Sequence, residues 1–401
     1  MKLAEINMVD YGSTGKIMLQ IAQCARENSC EVRTFSKKWK KQTAPNKDHF
    51  YFGTTLENGL HVLLYRLIGF QGLFSYFGTK QLVRKLNEFG PDVVHLHNLH
   101  DSCICIPVLF RYLKKSNVKV VWTLHDCWPM TGQCYHFTMA KCEKWKNGCK
   151  HCPQLTAKFP VDCSAFMWKH KRVWFSDIKD MTIVTPSQWL SDIVKQSYLS
   201  SYPVQVIHNG IDLSVFHPTP SNFREKYGIA QNKFLILGVA FGWGVRKGLD
   251  CFVELSQKLD SAKYQIVLVG TDESVDKQLP SNIISVHRTH NQMELAEIYT
   301  AADLFVNPTR EDNFPTTNIE AIACGTPVLT FLTGGSPESL DETCASVVAC
   351  NDIKTMICEI ERIRMCHPYS REACLLRASI YDGKEKNREY VDLFNQTVER
   401  R

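Results

Sequence analysis

Short strand-like runs alternate with helix-like segments along the whole chain, and this alternation restricts the fold more than any other feature. A strand is predicted at residues 3–9, and Met18, Ile21, Ala22 and Ala25 follow at the spacing of one helix face. Further strands are predicted at 31–35, 92–97, 118–123, 182–185 and 204–208. Strands that alternate with helices indicate a parallel sheet with helices on both faces.

The same alternation starts again near residue 234. Strands are predicted at 234–240, 264–270, 303–307 and 327–331, and helices at 293–301 and 316–324. Between the halves, Asn209-Gly210 predicts a tight turn, and Pro218 and Pro220 interrupt any helix. We therefore predict an α/β fold with two Rossmann-like, doubly wound domains at 1–205 and 206–380. A helix within 381–401 carries Tyr390 and Phe394 on its apolar stripe and should pack back toward the first domain.

Composition excludes several classes of protein. The chain has 401 residues, 44% of them hydrophobic and 22% charged, which is typical of globular proteins and too long for one ordinary α/β core. A net charge of +6 is well below that of a dedicated nucleic-acid binder, so we expect anionic small ligands and no nucleic acid. The N-terminal residues lack the pattern of a signal peptide, which predicts a cytoplasmic protein.

Residues 59–77 mix many large apolar side chains with few charges. No apolar run reaches the roughly 18 residues of a spanning helix. The favoured interpretation is a helix buried in the core with its packing loop, and the alternative is peripheral contact with the cytoplasmic face of the inner membrane.

The segment GSTGK, residues 12–16, lies between the first strand and the first helix. Glycines at such a turn let backbone amides approach an anion at a helix N-terminus, so Gly12, Ser13 and Gly15 are candidate ligand contacts. A phosphate-binding P-loop is excluded because Ile17 follows Lys16, and the chain has no G-x-G-x-x-G fingerprint. An ordinary glycine-rich turn is the alternative.

Two segments of the second half carry charges where a ligand is expected. GVRKG, residues 244–248, follows a strand and places Arg246 and Lys247 where two cations could hold a diphosphate, although a solvated basic turn would look the same. In residues 310–331, Asp312 lies in a loop after a strand and Glu320 in the next helix. Carboxylates there could accept hydrogen bonds from sugar hydroxyls, or could be helix-start charges that match the dipole.

The order of these motifs resembles the family-4 retaining glycosyltransferases of GT-B architecture, in the subgroup of bacterial capsule, O-antigen and exopolysaccharide assembly. The likeness covers nearly the whole chain: the glycine-rich turn, VTPSQWL at 184–190, HNGID at 208–212, RKG at 246–248 and the acidic segment that ends EAIACGTPV. It implies two domains that face a cleft, the first binding the acceptor and the second the nucleotide sugar. It further implies retention of configuration at the transferred sugar, without a catalytic metal ion.

The resemblance also implies roles for individual residues. Arg246 and Lys247 would bind the donor diphosphate, Glu320 the ribose and Asp312 the transferred sugar, with Glu311 as the alternative acid one position away. The backbone amides of Asn313 and Phe314 would hold sugar hydroxyls, whereas Pro315 has no N–H. His125 would line the pocket for the donor sugar and the acceptor and orient the substrate, although His95, His97 and His100 compete for that position.

A cysteine-rich insertion at 127–152 contains Cys134, Cys142, Cys149 and Cys152, and the last two form a C-x2-C pair. Four thiolates could bind a structural zinc ion, and unpaired thiols are the equal alternative. Disulfides are disfavoured because nothing else in the sequence indicates an oxidising compartment.

The sequence thus predicts transfer of a hexose-type sugar from a nucleotide diphosphate donor to a glycan or a lipid-linked oligosaccharide. The chain has no Asp-x-Asp pair, so cations of the protein would stabilise the leaving group. Two rivals remain: a sugar-nucleotide epimerase of the same architecture, and a non-catalytic partner protein with a degenerate site.

Overall fold

The computed structural model describes residues 1–39, 47–155 and 161–399. The chain divides into two compact units. The first contains Met1–Ile207 and the C-terminal residues from Asn387 onward, and the second contains His208–Lys386.

The first unit is built on a parallel sheet of seven strands in the order β3-β2-β1-β4-β5-β6-β7. Every residue of β4 and β6 is buried, as expected for strands covered on both faces. The elements are β1 Lys2–Asn7, α1 Gly12–Glu27, β2 Glu31–Lys37, β3 His49–Phe52, α2 Thr55–Ile68, α3 Tyr76–Phe89, β4 Val93–Leu96, α4 Ile106–Lys115, β5 Lys119–Thr123, α5 Ser164–Phe175, β6 Met181–Thr185, α6 Gln188–Lys195 and β7 Val204–Val206.

The second unit contains a parallel sheet of six strands in the order β10-β9-β8-β11-β12-β13. Its elements are α7 Phe223–Lys226, β8 Phe234–Val239, α8 Leu249–Lys258, β9 Tyr264–Val269, α9 Glu273–Asp276, β10 Ile283–Val286, α10 Gln292–Ala301, β11 Leu304–Asn307, α11 Thr316–Ala323, β12 Val328–Phe331, β13 Ala345–Val348, α12 Ile353–Cys366 and α13 Arg371–Ser379. The helix α14 Gly383–Glu399 begins in this unit and continues into the first.

Both sheets reverse their strand order at one place, between β1 and β4 in the first unit and between β8 and β11 in the second. In doubly wound sheets a crevice opens at the carboxyl ends of the strands on either side of such a reversal, and ligands bind there. The loops after β1, β4, β8 and β11 are therefore the parts of the fold to inspect for a site.

The prediction of two doubly wound parallel sheets is confirmed. Each strand predicted from the sequence is present within two residues of its predicted ends. The prediction missed β3, β10 and β13, which are short edge or near-edge strands of four residues and carry little periodic signal.

The predicted packing of the C-terminal helix is also confirmed. Tyr390, Val391, Leu393 and Phe394 of α14 are buried in a cluster that includes Ile21, Ala22 and Ala25 of α1. The apolar stripes of the two helices meet over the sheet of the first unit, so α14 is part of that unit's core.

The prediction that residues 59–77 form a buried core helix is wrong for the leucines of α2. Leu56 is 85% exposed, and Leu60, Leu63 and Leu67 are each more than half exposed. The helix instead buries Asn58 and His61, because both have polar partners inside the unit: the Asn58 amide donates to the carbonyl of Lys38, and His61 Nδ1 lies 2.6 Å from Ser75 Oγ. Among the described residues, no helix is long and apolar enough to cross a membrane.

Candidate functional site

In the second unit, the turn Val245–Lys247 follows β8 and packs closely against the loop that follows β11. Gly248 ends this turn with a left-handed backbone, φ +76°, and a Cβ added there would lie 2.5 Å from the carbonyl oxygen of Pro308. Only glycine combines that conformation with that proximity. The sequence therefore places Arg246 and Lys247 beside the loop that contains Asp312.

Arg310 joins the turn to the loop. Its guanidinium donates two hydrogen bonds to Asp250, Nη1 to Oδ1 and Nη2 to Oδ2, each 2.7 Å long, and its backbone N–H donates to the carbonyl of Arg246 at 2.9 Å. Arg246 Nη1 donates in return to the carbonyl of Glu311 at 3.3 Å. A bidentate arginine–carboxylate pair has a well-defined geometry, so the two loops form one rigid edge.

Two of the predicted site residues meet at this edge. The ammonium group of Lys247 donates to Asp312 Oδ2, and about a fifth of each side chain is exposed. Asp312 Oδ1 accepts from the backbone N–H of Asn313 at 3.0 Å. Glu311, the alternative acid, is buried with only 6% of its surface exposed. An anionic ligand of Lys247 would therefore have to compete with the carboxylate of Asp312.

Glu320 lies on the partly exposed side of α11 and is held at both carboxylate oxygens. Thr316 Oγ1 donates to Oε1 at 3.1 Å, and the hydroxyl of Tyr299 donates to Oε2 at 3.2 Å. Phe314 is buried just before this helix, and its ring stacks on that of His208 with centroids 4.8 Å apart. These contacts fix the position of the Glu320 carboxylate before any ligand arrives.

In the first unit, the GSTGK segment is the first turn of α1, rather than a turn that precedes the helix. Gly15 is buried, and a Cβ there would lie 2.6 Å from the backbone carbon of Asp10, so close packing is sufficient to explain this glycine. Gly12 and Ser13 are exposed at the start of the helix, and Tyr11, which precedes it, supplies no side-chain cap. The backbone amides of this first turn remain a suitable site for an anion.

His125, which follows β5, is joined to a buried polar network. Its Nε2 lies 3.1 Å from Nδ1 of His97, and the two rings stack at 10°. His97 Nε2 lies 2.9 Å from Glu5 Oε2, and His95 Nδ1 lies 3.0 Å from Glu5 Oε1. His95 Nε2 lies in turn 2.8 Å from Thr123 Oγ1. Two of the competing histidines of the sequence analysis, His95 and His97, thus belong to the same polar network as His125.

Burial sets the charge of this network. It lowers the pKa of His95 and His97 to about 3 and that of His125 to about 4, and it raises the pKa of Glu5. Nearby, burial opposes the protonation of His100, but the carboxylates of Asp126 and Asp101 outweigh it and raise the pKa of His100 to about 9. The three histidines of the network are therefore neutral at pH 7, next to a cationic His100.

Sequence reasoning missed Glu5. It lies in the middle of β1, pairs in register with His95 on β4 and is fully buried. The available signal was an acidic residue inside the otherwise apolar strand KLAEIN, because a central parallel strand rarely buries a carboxyl group without a partner. Among the described residues, only Glu5, His95 and His97 form a group of three close enough to bind one metal ion.

The four cysteines of the insertion, Cys134, Cys142, Cys149 and Cys152, line one small cavity of about 10 Å³, which is roughly the space of a single water molecule. Each is a free thiol. Within the part of the chain that the structure describes, no three of these sulfurs lie within 4.8 Å of one another. The cysteines share a cavity but are not assembled into a tetrahedral ligand set.

The sequence of this chain is similar to those of known proteins. A profile described as Glycosyltransferase Family 4 matches residues 14–215, which is 202 of 401 residues, and one described as Glycosyl transferases group 1 matches residues 231–364. The glycosyl transferase WcaC of Escherichia coli strain K12, named for colanic acid biosynthesis, is 25% identical over 356 residues, or 83% of each chain.

Solved structures share the fold. Sucrose-phosphate synthase from Thermosynechococcus elongatus superposes with a TM-score of 0.73 at 16% identity and covers 98% of both chains. HepE from Anabaena, solved in complex with UDP-glucose, superposes with a TM-score of 0.67 at 12% identity, covering 99% of this chain and 100% of HepE. Both match the GT-B architecture that the sequence predicted.

Proposed function

Because this chain belongs to glycosyltransferase family 4, a family of retaining hexosyltransferases, we propose that it transfers a hexose from a nucleotide diphosphate sugar to a glycan or a lipid-linked glycan. The donor binds in the second unit, and the reaction needs no metal ion. The acceptor is an intermediate in the assembly of a bacterial surface polysaccharide.

The observation that supports this proposal most strongly is the cluster of charged residues at the carboxyl ends of β8 and β11. Arg246 and Lys247 lie on a turn that Arg310 joins to the loop of Asp312, at the reversal of strand order. Two cations held rigidly at that place would bind a diphosphate and stabilise the charge that develops as it leaves. We propose that the diphosphate displaces Asp312 from Lys247 and that Asp312 then accepts a hydrogen bond from the transferred sugar.

The remaining donor contacts follow from the same arrangement. Glu320, held by Thr316 and Tyr299, would accept hydrogen bonds from the ribose hydroxyls. The backbone amides of Asn313 and Phe314 would bind sugar hydroxyls. In the first unit, the helix start at Gly12, Ser13 and Gly15 would approach the phosphates, and His125 would orient a hydroxyl of the substrate.

The relatives support the choice of substrates. WcaC is named for colanic acid biosynthesis, and HepE was solved with UDP-glucose. A uridine diphosphate hexose is therefore the first donor to try, with guanosine and cytidine diphosphate sugars as comparisons. An acceptor taken from polysaccharide assembly fits the family relationship best.

A donor screen tests the proposal. A nucleotide sugar that binds the native state should raise the melting temperature, and transfer of its labelled sugar to a polysaccharide precursor should follow. Glu320→Ala and Lys247→Ala should each abolish transfer in a folded protein. Glu361→Ala and Lys354→Ala, at exposed positions of α12, are the matched controls and should retain activity.

Unchanged turnover in both site variants would contradict the assigned site. Incubation of the donor alone provides a second check, because an isomerised sugar nucleotide in the absence of acceptor would indicate an epimerase and overturn the proposed transfer.

We also propose that the cavity lined by four cysteines binds a structural zinc ion. Thiolates are the donors that structural zinc prefers, and the four sulfurs would have to draw closer together to bind one ion in their shared cavity. Burial raises the pKa of Cys134 to about 12 and that of Cys149 to about 11, so the ion would have to displace their protons. Metal analysis of the purified protein should find one zinc per chain, lost in Cys149→Ser and retained in Cys24→Ser. Zinc-free wild-type protein would exclude the site.

The exposed leucines of α2 support a peripheral contact with the cytoplasmic face of the membrane. Leu56, Leu60, Leu63 and Leu67 recur at helical spacing along one exposed side, as in helices that lie in the bilayer interface. Sedimentation with anionic phosphatidylglycerol vesicles should carry the wild-type protein down, and Leu60→Glu with Leu63→Glu should abolish this. Equal sedimentation of both proteins would refute the contact.

A further inference from the structure

A closed polar network of four residues lies inside the second unit, where β11 and β12 end. Asn307 Nδ2 donates to Asn318 Oδ1 at 2.7 Å, and Asn318 Nδ2 donates to Ser336 Oγ at 3.2 Å. Ser336 Oγ lies 2.8 Å from Thr330 Oγ1, which donates to the carbonyl of Asn307 at 2.9 Å. Asn318, Thr330 and Ser336 are fully buried, and Asn307 is 7% exposed.

The donors and acceptors of this network match one another. The Thr330 hydroxyl gives its proton to the carbonyl of Asn307, so the proton between Thr330 and Ser336 belongs to Ser336. Ser336 Oγ accepts in turn from Asn318, whose amide also donates to the carbonyl of Ser336 at 2.8 Å. Each of these groups would be costly to bury without its partner, so the network holds the chain in one arrangement.

The turn 333–336, which Ser336 ends, packs directly on the loop that contains Asp312. The backbone N–H of Gly335 donates to the carbonyl of Asp312 at 3.3 Å. Gly334 has a left-handed backbone, φ +53°, and a Cβ added there would overlap the carbonyl oxygen of Asp312. The position of the backbone at Asp312 therefore depends on the position of this turn.

We propose that Asn318 is a positioning residue for the transferred sugar: it holds Ser336 and, through the turn 333–336, fixes the place of the Asp312 carboxylate. The inference rests on the proposed function, in which Asp312 accepts a hydrogen bond from the hexose and Lys247 binds the diphosphate. The ammonium group of Lys247 donates to Asp312 Oδ2, so the place of Asp312 bears on both parts of the donor.

Packing alone would favour an apolar side chain at position 318. The other buried residues of α11 are Ile319, Ala321, Ile322 and Ala323. Asn318 instead joins three segments of the chain, which are the end of β11, the helix α11 and the turn after β12. A binding site needs its contact groups held within about 0.5 Å of the productive geometry, and hydrogen bonds from a supporting layer of residues provide that precision.

This arrangement predicts an effect on one part of the donor only. A nucleoside diphosphate would bind through Lys247 and Glu320, whereas a nucleotide sugar would use Asp312 as well. A displaced Asp312 loses its contact with the hexose and leaves Lys247 to the diphosphate. General damage to the second unit would weaken both ligands, because both require Lys247 and Glu320.

The test is isothermal titration of the full chain with two ligands. One is the nucleotide sugar that the wild-type protein turns over among UDP-glucose, UDP-galactose and GDP-mannose, and the other is its nucleoside diphosphate. Asn318→Leu should lower the affinity for the nucleotide sugar about tenfold or more, which is the worth of one hydrogen bond to a charged group. The affinity for the nucleoside diphosphate should change by less than about threefold.

A milder variant covers the case in which Asn318→Leu does not fold. Ser336→Ala removes one hydroxyl of the network and should show the same preference with a smaller loss. In a folded variant, equal losses of affinity for the two ligands, or wild-type affinity for both, would refute the proposal.

A double-mutant cycle tests whether Asn318 acts through Asp312. Asp312→Asn should lose a similar affinity for the nucleotide sugar, and Asn318→Leu added to it should cost less than about twofold more. Ser256→Ala is the control, because it removes a different buried hydroxyl of the second unit, one that donates to the carbonyl of Val253 on α8. It should bind both ligands as the wild type does. Additive losses in the double variant would overturn the positioning role.

Failure of this inference and failure of the proposed function give different results. A wild-type protein that binds and transfers none of the three nucleotide sugars contradicts the proposed function, and the role of Asn318 falls with it. A wild-type protein that transfers sugar, beside a folded Asn318→Leu protein with wild-type affinity for the donor, contradicts the positioning role alone.

Discussion

At the scale of single residues, two glycines of the second unit distinguish the cost of a left-handed backbone from the cost of a steric overlap. Gly228 and Gly248 both have a left-handed backbone, with φ of +63° and +76°. A Cβ added to Gly228 would meet nothing within 4 Å, whereas one added to Gly248 would lie 2.5 Å from the carbonyl oxygen of Pro308. Only the second glycine is required for the close approach of the Arg246 turn to the loop after β11.

We expect Gly228→Ala to lower the free energy of unfolding by about 1–2 kcal/mol, the cost of a left-handed backbone for a residue with a Cβ. Gly248→Ala should cost about 2–5 kcal/mol, because the overlap with Pro308 adds to that strain. It should also weaken donor binding, since the turn has to move. Urea denaturation and titration with the donor measure both effects. Equal losses of stability in the two variants would contradict the role assigned to close packing.

At the scale of elements, α14 completes the hydrophobic core of the first unit. The helix begins in the second unit and supplies Tyr390, Val391, Leu393 and Phe394 to the core of the first. Phe394 is fully buried, and its ring centroid lies 5.1 Å from that of His95. Val398, one turn further along the helix, is 37% exposed. The helix is thus held by a few large side chains over β1, β4 and β5.

Phe394→Ala should destabilise the first unit by about 3–5 kcal/mol, because it removes a fully buried ring and leaves a cavity. Val398→Ala on the same helix should cost less than about 1 kcal/mol, since its side chain is partly in water. Thermal unfolding followed by circular dichroism compares the two variants. A small effect of Phe394→Ala would mean that α14 is not part of the folded core in solution.

At the scale of the whole molecule, the buried histidines make stability depend on pH. The pKa values of His95 and His97 are lowered to about 3 and that of His125 to about 4, all by burial, from an ordinary value of 6.5. Between these values the unfolded chain binds protons that the folded chain does not. Stability therefore rises with pH across this window and is lost as the pH falls below about 6.5. The raised pKa values of Glu5 and of His100, the latter about 9, act in the opposite direction.

On lowering the pH from 7.5 to 5, we expect each of the three histidines to remove up to about 2 kcal/mol of stability. His97→Phe should show a smaller difference between its stabilities at the two pH values than the wild-type protein, whatever its absolute stability. Chemical denaturation at both pH values measures the difference. A wild-type stability that does not change between pH 7.5 and 5 would contradict the lowered pKa values.

The sequence predicted much of the architecture because its signals are local. Apolar runs such as 234–240 and the spacing of Met18, Ile21 and Ala22 are set by the period of the strand or helix that contains them. Similarly, the order of the glycine-rich turn, VTPSQWL, HNGID, RKG and the acidic segment that ends EAIACGTPV was enough to indicate the family, because each of these motifs lies within a short stretch of the chain.

Tertiary structure decided the features that depend on partners distant in sequence. Glu5 and His97 meet across 92 positions, and no local pattern links a carboxylate in β1 to an imidazole after β4. The hydrogen bonds of Asn58 and His61, rather than the leucines, likewise determine which face of α2 is buried. A buried polar group needs a hydrogen-bond partner, whereas an exposed leucine costs little free energy. The sequence alone determined the strands, the helices and the charged turns, because their signals lie within a few residues. The contacts inside the core between residues distant in sequence became visible only in the tertiary structure.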